Sequence, residues 1–122
     1  MDRRPIGVFD SGLGGLTAAR ELMEQLPGED IIYFGDTGRV PYGTRSHETV
    51  RKYTRQDIRF LLTFDIKAIV IACNTADTVA GETVRQEFDL PICGALRPAA
   101  EKAAAATRNN RIGAIGTNAT VR

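Results

Sequence analysis

The chain has 122 residues, enough for one small domain with its own core, and 43% hydrophobic with 25% charged residues argues against a disordered or fibrous chain. With 16 Lys and Arg against 15 Asp and Glu the formal charge is +1, and no basic stripe is interleaved with aromatics, so nucleic acid is not an expected partner. No apolar run approaches the roughly 20 residues of a membrane span. The start, Met1-Asp2-Arg3-Arg4-Pro5, lacks a signal-peptide stretch, so a cytoplasmic protein is expected.

Pro5 to Phe9 reads as a buried strand ending at Asp10, followed by a Gly12–Gly15 turn. Leu16, Ala19, Leu22, Met23 and Leu26 have helical spacing, and Pro27-Gly28 stops that helix. Ile31 to Phe34 is a second strand, ending at Gly35-Asp36, and a loop broken by Pro41 and Gly43 follows. Ser46 can cap a helix running to about Leu62, with Val50, Tyr53, Ile58, Leu61 and Leu62 inward and Glu48 favoured by the dipole of its first turn.

Ala68 to Ala72 is the most hydrophobic strand. A helix from Thr75 to about Phe88 follows, with Asn74 as its cap and Asp77 completing a box-like start. Leu90 to Cys93 forms a short fourth strand, Pro98 to Ala106 an alanine-rich helix, and Arg111 to Ile115 a fifth strand opening into a Gly116-Thr117-Asn118 turn. Strands alternating with helices predict βαβ units: an α/β fold with an open parallel sheet, flanking helices and both faces buried. A helix should just be starting where the chain stops at Val121-Arg122, so the chain is expected to be incomplete.

Open parallel sheets bind ligands at the carboxyl ends of their strands. Those ends carry Asp10-Ser11-Gly12, Asp36-Thr37, Cys73-Asn74-Thr75 and Thr117-Asn118, all small and polar directly after apolar strands. Turns favour such residues for structural reasons, but four converging segments favour a site. Cys73 is the sharpest of these residues. A helix amino terminus should stabilise its thiolate and lower its pKa, whereas a lone cysteine is otherwise a small buried hydrophobe.

The other cysteine, Cys93, has Gly94 and Ala95 behind it and is expected to pack, and the single histidine, His47, is expected to be solvated. Neither spacing nor ligand number suits a zinc site or a disulfide framework. The run Gly12-Leu13-Gly14-Gly15 departs from a dinucleotide fingerprint at Thr17, and Asp10 would oppose a pyrophosphate, which leaves close strand–helix packing as its reading.

Ile6–Gly15 (IGVFDSGLGG), Tyr33–Gly43 (YFGDTGRVPYG), Ile69–Ala76 (IVIACNTA) and Gly113–Thr120 (GAIGTNAT) together resemble the glutamate racemase family, in order and spacing, over nearly the whole chain. The resemblance implies a fold of two similar α/β lobes with the site between them. Residues 1–96 would form an incomplete first lobe and residues 97–122 begin the second. It also implies chemistry without cofactor or metal, in which two cysteines flank the α-carbon of glutamate and exchange its proton. Cys73 would be one of them, with Asp10 orienting or tuning it and Ser11 binding substrate. Tyr42 and Gly43 would contact substrate through their loop, Asn74 and Thr75 would hold its amino and carboxylate groups, and Thr117 and Thr120 would bind a carboxylate.

The partners implied are L- and D-glutamate, with a homodimer for the full-length protein, which would supply D-glutamate for peptidoglycan. The second cysteine would come from later sequence, so the 122-residue chain is expected to be inactive alone. Two features depart from the family pattern: Arg97 precedes Pro98 where an acidic residue is common, and Cys93 is unusual. Three alternatives remain at this point: a racemase for aspartate or a related substrate, a noncatalytic nucleotide binder, and a fragment with a structural role.

Overall fold

The computed structural model describes residues Met1–Arg122. Four strands, β1 (Ile6–Asp10), β2 (Ile31–Gly35), β3 (Ala68–Ile71) and β4 (Ile92–Gly94), form one parallel sheet in the order β2-β1-β3-β4. The helices are α1 (Leu16–Gln25), α2 (His47–Leu62), α3 (Asn74–Glu87), α4 (Leu96–Ala106) and the single turn α5 (Asn118–Val121), with a 3₁₀ turn at Thr37–Arg39. The α/β class and its parallel sheet are those expected. No helix is long and apolar enough to cross a membrane.

Strand register divides the sheet into two unlike faces. Gly7, Phe9, Ile69 and Ile71 share one face and lie against α2 and α3. Phe9, Ile58, Leu61, Ile69, Ile71 and Val84 are fully buried there, each worth about 1.5–3 kcal/mol of transfer free energy. Phe60 of α2 packs its ring 4.8 Å from that of Phe34 on β2, extending the core to the sheet edge. Gly7 suits this face because a Cβ there would come within 2.8 Å of Ile66 Cδ1.

The opposite face, carrying Val8, Val70 and Cys93 in register, is covered only in part. Val8 is fully buried, Val70 is half-buried, and Cys93 is exposed. The expectations of two buried faces and of a packing role for Cys93 therefore fail for one reason: no element of the chain lies over β3 and β4 on this side. Leu16 and Met23 of α1 and Leu26 just past its end, expected on the inner face of that helix, are exposed as well, and so is Leu62 at the end of α2.

The fifth strand does not form. Residues 111–115 are irregular, and Ile112 and Ile115 are exposed. A strand is stabilised by cross-strand pairing, and the apolar run here has no neighbouring strand to pair with. The helix expected from Pro98 starts earlier, at Leu96, which puts Pro98 in the first turn, where its missing N–H costs nothing.

Candidate active site

The carboxyl ends of β1 and β3 lie side by side and open into a cleft of about 360 Å³, whose lining includes Asp10, Ser11, Cys73, Asn74, Thr75, Thr117 and Thr120. Asp10, at the last position of β1, accepts a 2.7 Å hydrogen bond from the Gly15 amide and so fixes the glycine turn. Glycine is required at position 15, because a Cβ would fall 2.6 Å from Asp10 Cβ and 2.9 Å from Ala72 Cβ. Tyr33 fixes the same turn from β2 by donating to the Gly12 carbonyl at 2.9 Å. Burial, with Asp10 and Cys73 nearby, pushes its phenol up to about 12, so it stays a donor at neutral pH.

Cys73 itself occupies the N-cap position of α3, and its Sγ accepts the Ala76 amide at 3.4 Å. The expected cap, Asn74, is instead the first helical residue and is exposed at the cleft. Asp77 completes no capping box; it pairs with Arg85 at 2.8 Å. The Cys73 thiol also points at Ser11 Oγ, 3.6 Å away. Its pKa is raised, contrary to expectation: burial outweighs the Ala76 and Ser11 hydrogen bonds, and the Asp10 carboxylate adds to the rise. Without a ligand Cys73 is therefore a thiol.

The third side of the cleft comes from the end of the chain. Thr117 Oγ1 lies 2.8 Å from Thr75 Oγ1 and 3.2 Å from Thr120 Oγ1, a ladder of hydroxyls beside the thiol. Gly43 presses on this ladder from the other direction, since a Cβ on it would come within 2.4 Å of Thr117 Cγ2. Tyr42, by contrast, turns its ring inward: it is fully buried, and its phenol bonds Asp36 and Asp57. Asp36 is thus withdrawn from the convergence of strand ends and pairs with Arg39 at 2.8 Å.

Asp57 is a buried carboxyl that the sequence reading passed over. The available signal was its place on the apolar stripe of α2, among Val50, Thr54, Ile58 and Leu61. Its pKa is pushed up to about 7, chiefly by burial. A carboxyl raised on folding stabilises most below its unfolded pKa of about 4, and that contribution is lost as pH rises through the folded value. Denaturant midpoints should therefore fall between about pH 4 and pH 7 and level off above it, and Asp57→Asn should flatten the fall. A midpoint rising through that window would contradict the assignment.

No group of three or more His, Cys, Asp and Glu side chains is placed to hold a metal ion. His47 is exposed at the start of α2, outside the cleft lining.

The model of the family described as Asp/Glu/Hydantoin racemase matches residues 7–122. A glutamate racemase of Streptococcus sanguinis is 55% identical over 121 residues, which is 99% of this chain and 46% of that protein. Among solved structures, a glutamate racemase isoform from Bacillus anthracis superposes with a TM-score of 0.93 at 42% identity, over 99% of this chain and 46% of that one. The glutamate racemase of Francisella tularensis, in complex with D-glutamate, has a TM-score of 0.86 at 44% identity, over 99% and 45%. The chain thus spans about half the length of the relatives it matches.

Proposed function

Because the chain belongs to the Asp/Glu/hydantoin racemase family, we propose that it supplies one half of a cofactor-independent glutamate racemase, with Cys73 as the acid/base on one face of the substrate. The observation that carries this reading is the thiol at the amino end of α3, facing a cleft otherwise lined by small hydroxyl, amide and carboxylate groups.

In this reading glutamate lies across the cleft with its α-carbon beside Cys73 Sγ. Asn74 and Thr75 hold the amino and carboxylate groups, Thr117 and Thr120 bind a carboxylate, Ser11 contacts substrate, and Gly43 and the Tyr42 backbone complete the rim. The substrate ammonium pairs with Asp10. Burial is the main cause of the raised thiol pKa and the Asp10 charge a smaller one; that pairing offsets the charge and so moves the thiol toward the thiolate that the chemistry needs. The thiolate takes the α-proton, and a thiol on the opposite face returns one, giving the mirror-image amino acid. The hydroxyls and the α3 amides stabilise the charge that develops on the substrate carboxylate. A thiol suits both directions because it serves as base when ionised and as acid when protonated. The reaction is two proton transfers, so the reading needs no metal or cofactor.

The opposite thiol is assigned to sequence outside this chain. Residues 1–96 are read as an incomplete first lobe and residues 97–122 as the start of the second. Two observations support that division: α4 buries none of its residues, and the apolar stretch 111–115 is unpaired. Glutamate is favoured over aspartate by the relatives, one of them solved in complex with D-glutamate. A homodimer in the cytoplasm, making D-glutamate for peptidoglycan, completes the reading for the full-length protein.

A substrate panel followed by circular dichroism tests it. The 122-residue chain alone should give no measurable racemisation, because one thiol cannot serve both faces, and its exposed apolar residues should make it self-associate. Joined to its second lobe it should invert glutamate and leave aspartate nearly untouched. Racemisation by the chain alone, or aspartate as the faster substrate, would overturn the reading.

A further inference from the structure

Behind the Tyr42–Gly43 turn lies a buried cluster that the proton-transfer scheme does not use. The Tyr42 phenol touches two carboxylates at once: Asp36, and Asp57 Oδ2 at 2.5 Å. Arg39 closes the group, with Nε 2.8 Å from Asp36 and Nη2 3.1 Å from Asp57, and it stacks on the Tyr53 ring at 4.0 Å. Arg45 lies on the same ring more loosely, 5.9 Å from the Tyr53 centroid. Asp36, Tyr42 and Asp57 are all buried, and none of their fully buried side-chain polar atoms lacks a partner.

Counting protons makes the cluster informative. A phenol has one proton to donate, so it satisfies one carboxylate. A second carboxylate at hydrogen-bond distance from the same oxygen repels it unless that carboxyl carries a proton of its own. One guanidinium balances one negative charge, not two. One proton beyond the phenol's own, carried by Asp57, completes the arrangement, and Arg39 balances the one negative charge that remains.

We propose that Asp57, acting through the Tyr42 phenol, is a positioning residue: with Asp36 it shares two protons that pin the Tyr42–Gly43 turn against Thr117 and the hydroxyl ladder of the cleft. Asp57 sits on α2, outside the cleft lining, and touches no reacting atom. Its influence runs through the ring it holds to the backbone beside Gly43, whose Cα hydrogens lie against Thr117. Loss of the Asp57 proton puts two carboxylates against one phenol and releases the turn. The effect belongs to substrate binding more than to the proton transfer. The inference rests on the racemase reading for what the turn contacts, but the shared protons do not depend on it.

Two measurements separate these parts. Infrared difference spectra between about pH 5 and pH 9, recorded on this chain and on the two-lobed enzyme, should contain a protonated-carboxyl band that is lost at alkaline pH and absent from Asp57→Asn. In the two-lobed enzyme, KM for glutamate should rise several-fold above about pH 7, and Asp57→Asn, which keeps the neutral form, should abolish that rise. Asp57→Ala and Tyr42→Phe should raise KM at every pH, and more than they lower kcat. Racemisation without the band, or a KM rise that persists in Asp57→Asn, overturns the proposal alone. The band in a two-lobed enzyme that gives no racemisation overturns the reading of the site, and the role of the turn with it.

Discussion

Cys73→Ser should cost the two-lobed enzyme at least about 10²–10⁴ in kcat, the usual contribution of a positioned general acid or base. A serine hydroxyl is far too weak an acid to ionise near neutral pH, so it cannot take the α-proton. The structure makes this substitution unusually clean. Cys73 caps α3 by accepting the Ala76 amide, and serine is among the residues preferred at an N-cap. The variant should therefore be at least as stable as the parent. Equal or higher denaturant midpoints together with a collapsed kcat would assign the loss to chemistry. A kcat within a few-fold of the parent would remove Cys73 from the mechanism.

Gly15→Ala should be the most damaging of the conservative changes around the cleft. The added methyl meets Asp10 Cβ at 2.6 Å and Ala72 Cβ at 2.9 Å, and neither atom can rotate away, because both are fixed by the backbone. Relief requires the glycine turn and the start of α1 to lift off the ends of β1 and β3, at a cost of about 1–3 kcal/mol, which is roughly 1 M in urea midpoint. The same shift lengthens the Asp10 bond to the Gly15 amide and moves Ser11 relative to the thiol. A displacement of about 1 Å can cost on the order of 10²-fold in rate. Gly14→Ala is the control, since its nearest contact would be Asp10 Oδ2 at an ordinary 3.8 Å. If the two variants match in stability and rate, the close packing of this turn is not what holds the site.

How far the fold could be read from sequence depended on whether its determinants were local. The four strands that formed are continuous apolar runs, and α2 starts where Ser46 accepts the Thr49 amide. The segment 111–115 is as apolar as a strand, yet it stays irregular because pairing is non-local. Cys93 is expected from its strand end to pack, but burial depends on what covers the sheet, and nothing in the chain covers that face over β3 and β4. The strand ends bearing Asp10 and Cys73 were legible because a parallel sheet brings them together. Asp36, at an equivalent strand end, was captured by Tyr42 and Arg39, side chains whose direction no pattern of spacing records. The raised Cys73 pKa has the same origin: the helix amino terminus is visible in sequence, while the depth of burial that outweighs it is not.

The α-proton itself gives the most direct test of Cys73 as the acid/base on one face. In heavy water, with D- and L-glutamate followed separately by NMR, the two-lobed enzyme should incorporate deuterium at the α-carbon as each enantiomer is inverted. With Cys73→Ser, inversion should disappear, and any exchange that remains should be confined to one enantiomer, returned on the face of the surviving thiol. Exchange and inversion retained from both enantiomers would contradict the assignment.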